Sequence, residues 1–353
     1  MAKAKFLKKS DLVAWLDALA KDARVLTPQK AGDAVVFGPH APGAQPVLDR
    51  QATASAKKSV FPRSKKLLSF SQVKDPENPA KVAIELKEAP APAATVVFGS
   101  RPCDARGFVV FDKVYDTPRL TDVPYAARRA ATAFVSLVCE KSETTCFCAA
   151  VGSGPADTTG SDVLATPLAD GFVLEAVSDK GEKLLDSPLL ADAGDKLAAA
   201  EDVKKAALAG LPEQPVFEGS PEALLARFDD LGFWEDVSGK CISCGACTYL
   251  CPTCYCFDIT DEASGSSGVR LRSWDNCMSF RFTLEASGHN PRPTKAHRLK
   301  NRVGHKFSYY PTLHEGLIAC CGCGRCVKSC PVSVDIREIV TRAIAAAAET
   351  AGA

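Results

Sequence analysis

An α/β domain followed by a smaller, mainly helical, cysteine-rich domain is the fold class this sequence predicts. Three observations predict it. Through the first two hundred residues, short β-branched apolar runs alternate with helical patterns, as in parallel α/β units. Twelve of the sixteen cysteines fall after residue 240. Those cysteines include two runs with one repeated spacing, C-x2-C-x2-C-x3-C-P, in CISCGACTYLCP from Cys241 and CCGCGRCVKSCP from Cys320.

The composition sets the outer bounds. A chain of 353 residues with 46% hydrophobic content has room for two or three domains, each with its own core. Lys+Arg 43 against Asp+Glu 42 leaves a formal charge of +1, which provides no general field for nucleic acid or an anionic membrane. The N-terminus, MAKAKFLKKSDLVAWLDALAK, is charged from the start, and no apolar run approaches the roughly 20 residues of a membrane span. A cytoplasmic protein is the expectation. Sixteen cysteines in a reducing compartment point to metal ligation rather than disulfides.

Element by element, Ser10 and Asp11 open a first helix whose Leu12, Trp15, Leu16 and Leu19 recur at i, i+3, i+4 and i+7. AVVF (34–37), VAIEL (82–86), TVVFG (95–99), FVSLV (134–138), DVLAT (162–166) and FVLEAV (172–177) read as strands. DARGFVVFDKVY reads as the helix joining TVVFG to FVSLV. GSGPADTTGSD (152–162) lacks the spacing of a phosphate loop and reads as a surface loop. Ser220 as N-cap and Pro221 at the first helical position open a new helix, which puts the domain junction near residue 215: an α/β domain over 1–215 and a second domain over 216–353.

The repeated spacing carries the chemistry. A cubane iron–sulfur cluster presents four iron corners, each suited to a soft thiolate. Three cysteines two residues apart wrap three corners from one loop. The fourth, followed by proline, ligates the other cluster in two-cluster ferredoxins. This predicts cluster one on Cys241, Cys244, Cys247 and Cys330, and cluster two on Cys320, Cys323, Cys326 and Cys251. Zinc patterns bring pairs of ligands from separated positions and fit less well. Between the runs lie 68 residues. The insertion at 257–319 contains SFRFTLEA and TKAHRLKNRVGHKF, which look helical, and the chain closes with DIREIVTRAIAAAAET, so the helical type of dicluster (2x 4Fe-4S) ferredoxin domain is expected. The basic residues Arg292, Lys295, Arg298, Lys300, Arg302 and Lys306 read as a solvated helix face, or as a docking surface or counter-charge to anionic clusters. RNA binding lacks the interleaved aromatics it needs.

Eight cysteines remain. Cys103 and Cys139 follow the strands TVVFG and FVSLV and would share the carboxyl edge of the sheet, where α/β folds place ligands. Cys146 and Cys148 follow within one loop. A third iron–sulfur cluster on Cys103, Cys139, Cys146 and Cys148 is the hypothesis, against packing of small apolar thiols. Cys254, Cys256 and Cys277, with Cys321 as a candidate fourth, form a weaker set, with packing beside the main clusters as the competing reading. The five histidines are scattered, and His289 and His305 are candidates for tuning a cluster or touching a partner.

FGSRPCDARGFVVFDKVY, CFCAAVGSGP, CISCGACTYLCPTCYCFDI, RSWDNC, GHNPRPTK and GCGRCVKSCPV together resemble the iron–sulfur (beta) subunit of cytoplasmic sulfhydrogenases and the corresponding iron–sulfur component of anaerobic sulfite reductase. Cys321, where an aliphatic residue is expected, departs from the pattern. The resemblance implies an electron-transfer subunit of anaerobic metabolism. Its neighbours would be a flavin-containing NAD(P)H oxidoreductase subunit on one side and a hydrogenase, heterodisulfide reductase or sulfite reductase subunit on the other. Catalysis would then belong to the partners, with no nucleic acid and no membrane span. Two alternatives are a reductase subunit that binds its own flavin or substrate at the N-terminal domain, and a redox-sensing binding module.

Overall fold

The computed structural model describes residues 3–78 and 80–351. Its strands are β1 (Ala4–Lys8), β2 (Arg24–Ala31), β3 (Ala34–Pro39), β4 (Ser64–Lys74), β5 (Val82–Glu88), β6 (Thr95–Ser100), β7 (Thr132–Leu137), β8 (Val163–Leu168), β9 (Gly171–Ala176), β10 (Ala191–Asp192), β11 (Phe257–Ser264) and β12 (Ser267–Trp274). Its first three α-helices are α1 (Leu12–Leu19), α2 (Pro102–Tyr115) and α3 (Val123–Ala131).

The large sheet runs β10-β1-β9-β8-β7-β6-β2-β3. Its centre, β2, β6, β7 and β8, is parallel, and antiparallel strands flank it. TVVFG and FVSLV are therefore neighbours, with Val96 opposite Ala133 and Phe98 opposite Val135. Both faces are covered, which is why these runs are apolar without alternation. On one face Val96, Phe98 and Val135 pack with Trp15 and Leu16 of α1. On the other, Val97 and Phe134 pack with Phe108 and Phe111 of α2.

A second, antiparallel sheet has the order β11-β12-β4-β5. It joins segments about two hundred residues apart, since β12 pairs with β4 from Ser267 opposite Ser71 to Ser273 opposite Ser64. This changes the reading of the insertion: its first part is a hairpin of two eight-residue strands rather than helix. SFRFTLEA contains only the 3-10 turn Phe280–Thr283. The alternation in β12 was hidden by its arginines, whose long stems still pack, and Arg272 is buried against Phe61 and paired with Asp122. TKAHRLKNRVGHKF does form a helix, Lys295–Gly304, continued by a π-helical turn over His305–Tyr309. Such turns often mark functional sites.

Two capping expectations also change. Gly219 in the left-handed region, not Ser220, precedes the helix Ser220–Ala226, because the Ser220 hydroxyl is turned to the Phe307 carbonyl at 3.3 Å. A 3-10 turn, Lys9–Asp11, leads into α1 with no side-chain cap. The loop 152–162 ends buried at Ser161 and Asp162, whose carboxylate accepts from the Phe134 amide at 2.9 Å.

The C-terminal core gathers Trp234, Leu299, Val303 and Phe307 around Ile336, Ile339, Val340 and Ala343 of the last helix, together with Phe147 from the α/β region. Among the described residues, no helix is long and apolar enough to cross a membrane.

Candidate metal centres

The first cysteine run leaves the helix Leu231–Ser238 and turns at Ser243 and Gly245, both at positive φ. It presents Cys241, Cys244 and Cys247 to a cavity also lined by Cys326 and Cys330 and closed by Met278, Leu299 and Ile336. Backbone amides aim at sulfur: Ser243 N–H donates to Cys241 at 3.4 Å and Val334 N–H to Cys330 at 3.2 Å. Cys244 is exposed, so this centre lies at the surface.

The second centre is interior. Cys251, Cys320, Cys323 and Cys326 line a cavity with Phe147 and Cys321. The Gly322 amide donates to Cys320 at 3.4 Å, and the Thr253 hydroxyl lies 3.1 Å from Cys251. The last cysteine of each run thus lines the cavity built by the other run. Cys326 lines both cavities.

Cys103, Cys139, Cys146 and Cys148 line a third cavity, shared with Cys323. Cys103 sits in the first turn of α2, and Gln51 donates to its sulfur at 3.5 Å. The loop carrying Cys146 and Cys148 lies directly against the second run, where the Phe147 amide donates to Gly322 O at 2.8 Å. Gly322 and Gly324 are left-handed, and a Cβ on either would strike the backbone of residues 145–148. Only glycine permits this approach. Burial pushes the Cys146 thiol up to about 12 and Cys148 to about 11.

Cys254, Cys256 and Cys277 line a fourth cavity of about 380 Å³. Cys321 is not with them. Following Cys320 directly, it lines the second cavity and packs with Cys103 and Cys323. Among the described residues, no three His, Cys, Asp or Glu side chains are gathered as for a single metal ion.

The basic stretch 292–306 is not a solvated face. Arg298, Lys300, Arg302 and Lys306 are all buried. Arg298 holds the loops by donating to Met278 O at 3.0 Å and to Arg292 O and Pro293 O at 3.1 Å. The Lys300 ammonium lies 3.9 Å from the Phe228 ring centre. Lys306 Nζ is 2.8 Å from Thr253 Oγ1, 2.9 Å from Ala319 O and 3.6 Å from Cys251 Sγ. Burial opposes its charge, but the sulfurs of Cys251, Cys254 and Cys320 hold it well above the ordinary lysine range. Arg302 lines the first, second and fourth cavities, and its Nε has no hydrogen-bond partner among the described residues. Burial again works against it, while Cys247, Cys326, Cys254 and Cys277 hold it charged. His289 is exposed, whereas His305 lines the fourth cavity, bonds the Tyr255 hydroxyl at 3.0 Å, and is kept neutral down to about 4, mainly by burial.

Some contributors carried no clear sequence signal. Lys57, far from any cysteine run, is buried with its ammonium 2.9 Å from Cys254 O and 3.9 Å from the Trp274 ring centre. Arg325, one residue before Cys326, pairs with Asp104 of α2 at 2.8 Å and 3.1 Å and donates to Ala52 O at 2.9 Å. This pair, almost wholly buried, fastens the α/β domain to the second cysteine run. Removing one partner strands a charge, so Arg325→Met is expected to destabilise the fold by about 3–5 kcal/mol in denaturant titration. The double variant with Asp104→Leu should recover much of that loss.

The soft thiolate sets, sulfur-directed amides and buried cations suit cubane clusters, and among the described residues no carboxylate lines the first two cavities. The chain is of the ferredoxin-like class that carries two 4Fe-4S clusters, since residues 240–334 match the 4Fe-4S dicluster domain family. It belongs to the sulfhydrogenase beta-subunit family. Sulfhydrogenase 2 subunit beta from Pyrococcus furiosus is 30% identical over 261 residues, covering 71% of this chain and 74% of that protein. No solved structure matches this chain.

Proposed function

We propose that this chain relays electrons from a flavin-containing NAD(P)H oxidoreductase subunit to a terminal catalytic subunit of the hydrogenase, heterodisulfide reductase or sulfite reductase type, or in the reverse direction. The observation that carries the reading is continuity: the first and second thiol-lined cavities share Cys326 and Arg302, and the second and third share Cys323. The P. furiosus relative is named as a subunit of sulfhydrogenase, which supports assembly with other subunits.

In this reading Cys241, Cys244, Cys247 and Cys330 hold one cluster and Cys320, Cys323, Cys326 and Cys251 the other. Cys103, Cys139, Cys146 and Cys148 hold a third, in an α/β domain over 1–215 joined to the dicluster domain over 216–353. When bound, 4Fe-4S clusters supply one-electron transfer. The chain's own part is electrostatic and steric. Lys306 and Arg302 offset negative charge around the interior thiolates, and the apolar walls exclude water. Exposed Cys244 gives a partner close access to the first centre. Exposed Val82, Ile84 and Leu86 on β5 form an apolar row of the kind a subunit interface covers.

The test of the third centre is iron per chain in anaerobically purified Cys103→Ser/Cys146→Ser. A loss of about four irons is expected. Unchanged iron would confine the relay to the dicluster domain.

A further inference from the structure

The fourth cavity combines soft ligands, positive charge and open space. Cys256 and Cys277 stand within hydrogen-bonding reach of each other, and Cys254 stands the same way to Cys251 of the interior centre. The cavity continues from these sulfurs for about 380 Å³. Arg292, Arg302 and Lys306 line it, and no carboxylate does among the described residues. Arg302 is only 5% exposed, and its Nε lacks a hydrogen-bond partner among those residues, an expensive arrangement unless an anion completes it. The Arg292 guanidinium likewise makes no hydrogen bond or ion pair among the described residues. Asn301 and Tyr309 add polar groups to the same wall.

We propose that Cys254, Cys256 and Cys277 hold a further iron–sulfur cluster through three thiolates, with its remaining iron facing the cationic cavity and open to a small soft anion such as hydrosulfide or cyanide. A cluster bound by four cysteines offers no such position. The site lies beside the proposed relay, because Cys254 abuts Cys251 and the Lys306 ammonium is shared with the interior centre. It would be a place where a small ligand meets iron directly.

The experiment uses the full chain, purified anaerobically, with iron analysis and EPR of the reduced protein before and after addition of cyanide. In the wild type, cyanide is expected to alter the signal of one cluster and leave the coupled ferredoxin pair unchanged. Cys256→Ser/Cys277→Ser should lose about four irons per chain together with the cyanide-sensitive signal, and keep the coupled pair. Wild-type iron content in the double variant, or a wild-type spectrum indifferent to cyanide, would overturn the proposal. The cyanide test decides alone if the variant does not fold. Failure here leaves the relay standing, whereas a chain without the coupled pair would overturn the relay itself.

Discussion

Cys330→Ala is expected to leave the same residual EPR spectrum as Cys244→Ala, although the two residues belong to different cysteine runs. Both variants remove a ligand from the surface centre, since Cys330 lines the cavity that holds Cys241, Cys244 and Cys247. By the same argument Cys251→Ala should match Cys320→Ala, both lacking the interior cluster. Each variant should lose about four irons per chain and abolish the coupling between the two clusters. If Cys330→Ala instead matched Cys320→Ala, each run would serve its own cluster and the crossed assignment would be wrong.

Lys306→Met is expected to lower the reduction potential of the interior cluster by on the order of 100 mV. A unit charge about 5 Å from the cluster, at an effective dielectric near 20, contributes roughly 3 kcal/mol. For a one-electron couple this is on the order of 100 mV. The sign follows from charge: reduction adds an electron, a nearby cation stabilises the more negative state, and its removal makes reduction harder. Methionine keeps most of the buried stem volume, while the contacts to Thr253 Oγ1 and Ala319 O are lost. Redox titration followed by EPR checks the shift. An unchanged potential would mean that Lys306 serves only to tie the two backbone segments together.

The parallel pair of β6 and β7 was legible because strands covered on both faces announce themselves as unbroken apolar runs. The dicluster domain was legible because its ligand spacing is local. The small sheet was not, since β4 and β12 find each other across the whole length between Ser64 and Trp274, and charged residues obscure their alternation. The basic stretch left a solvated face, a docking surface and a counter-charge all open for a related reason. Composition shows six cations without saying which way they point, and the helix Lys295–Gly304 turns Arg298, Lys300 and Arg302 inward. Lys57 and Asp104 join the centres through tertiary packing alone. Cys321 lay outside any pattern that spacing could read, because its place beside Cys103 and Cys323 comes from tertiary packing.

The most direct test of the relay is iron and acid-labile sulfide per chain on anaerobically purified protein, with EPR of the reduced sample. The account predicts a coupled two-cluster spectrum and about sixteen irons: about eight in the ferredoxin pair and about four in each additional centre. About eight irons with the coupled spectrum would remove both additional centres and keep the pair. Fewer than eight, or zinc in place of iron, would contradict the relay.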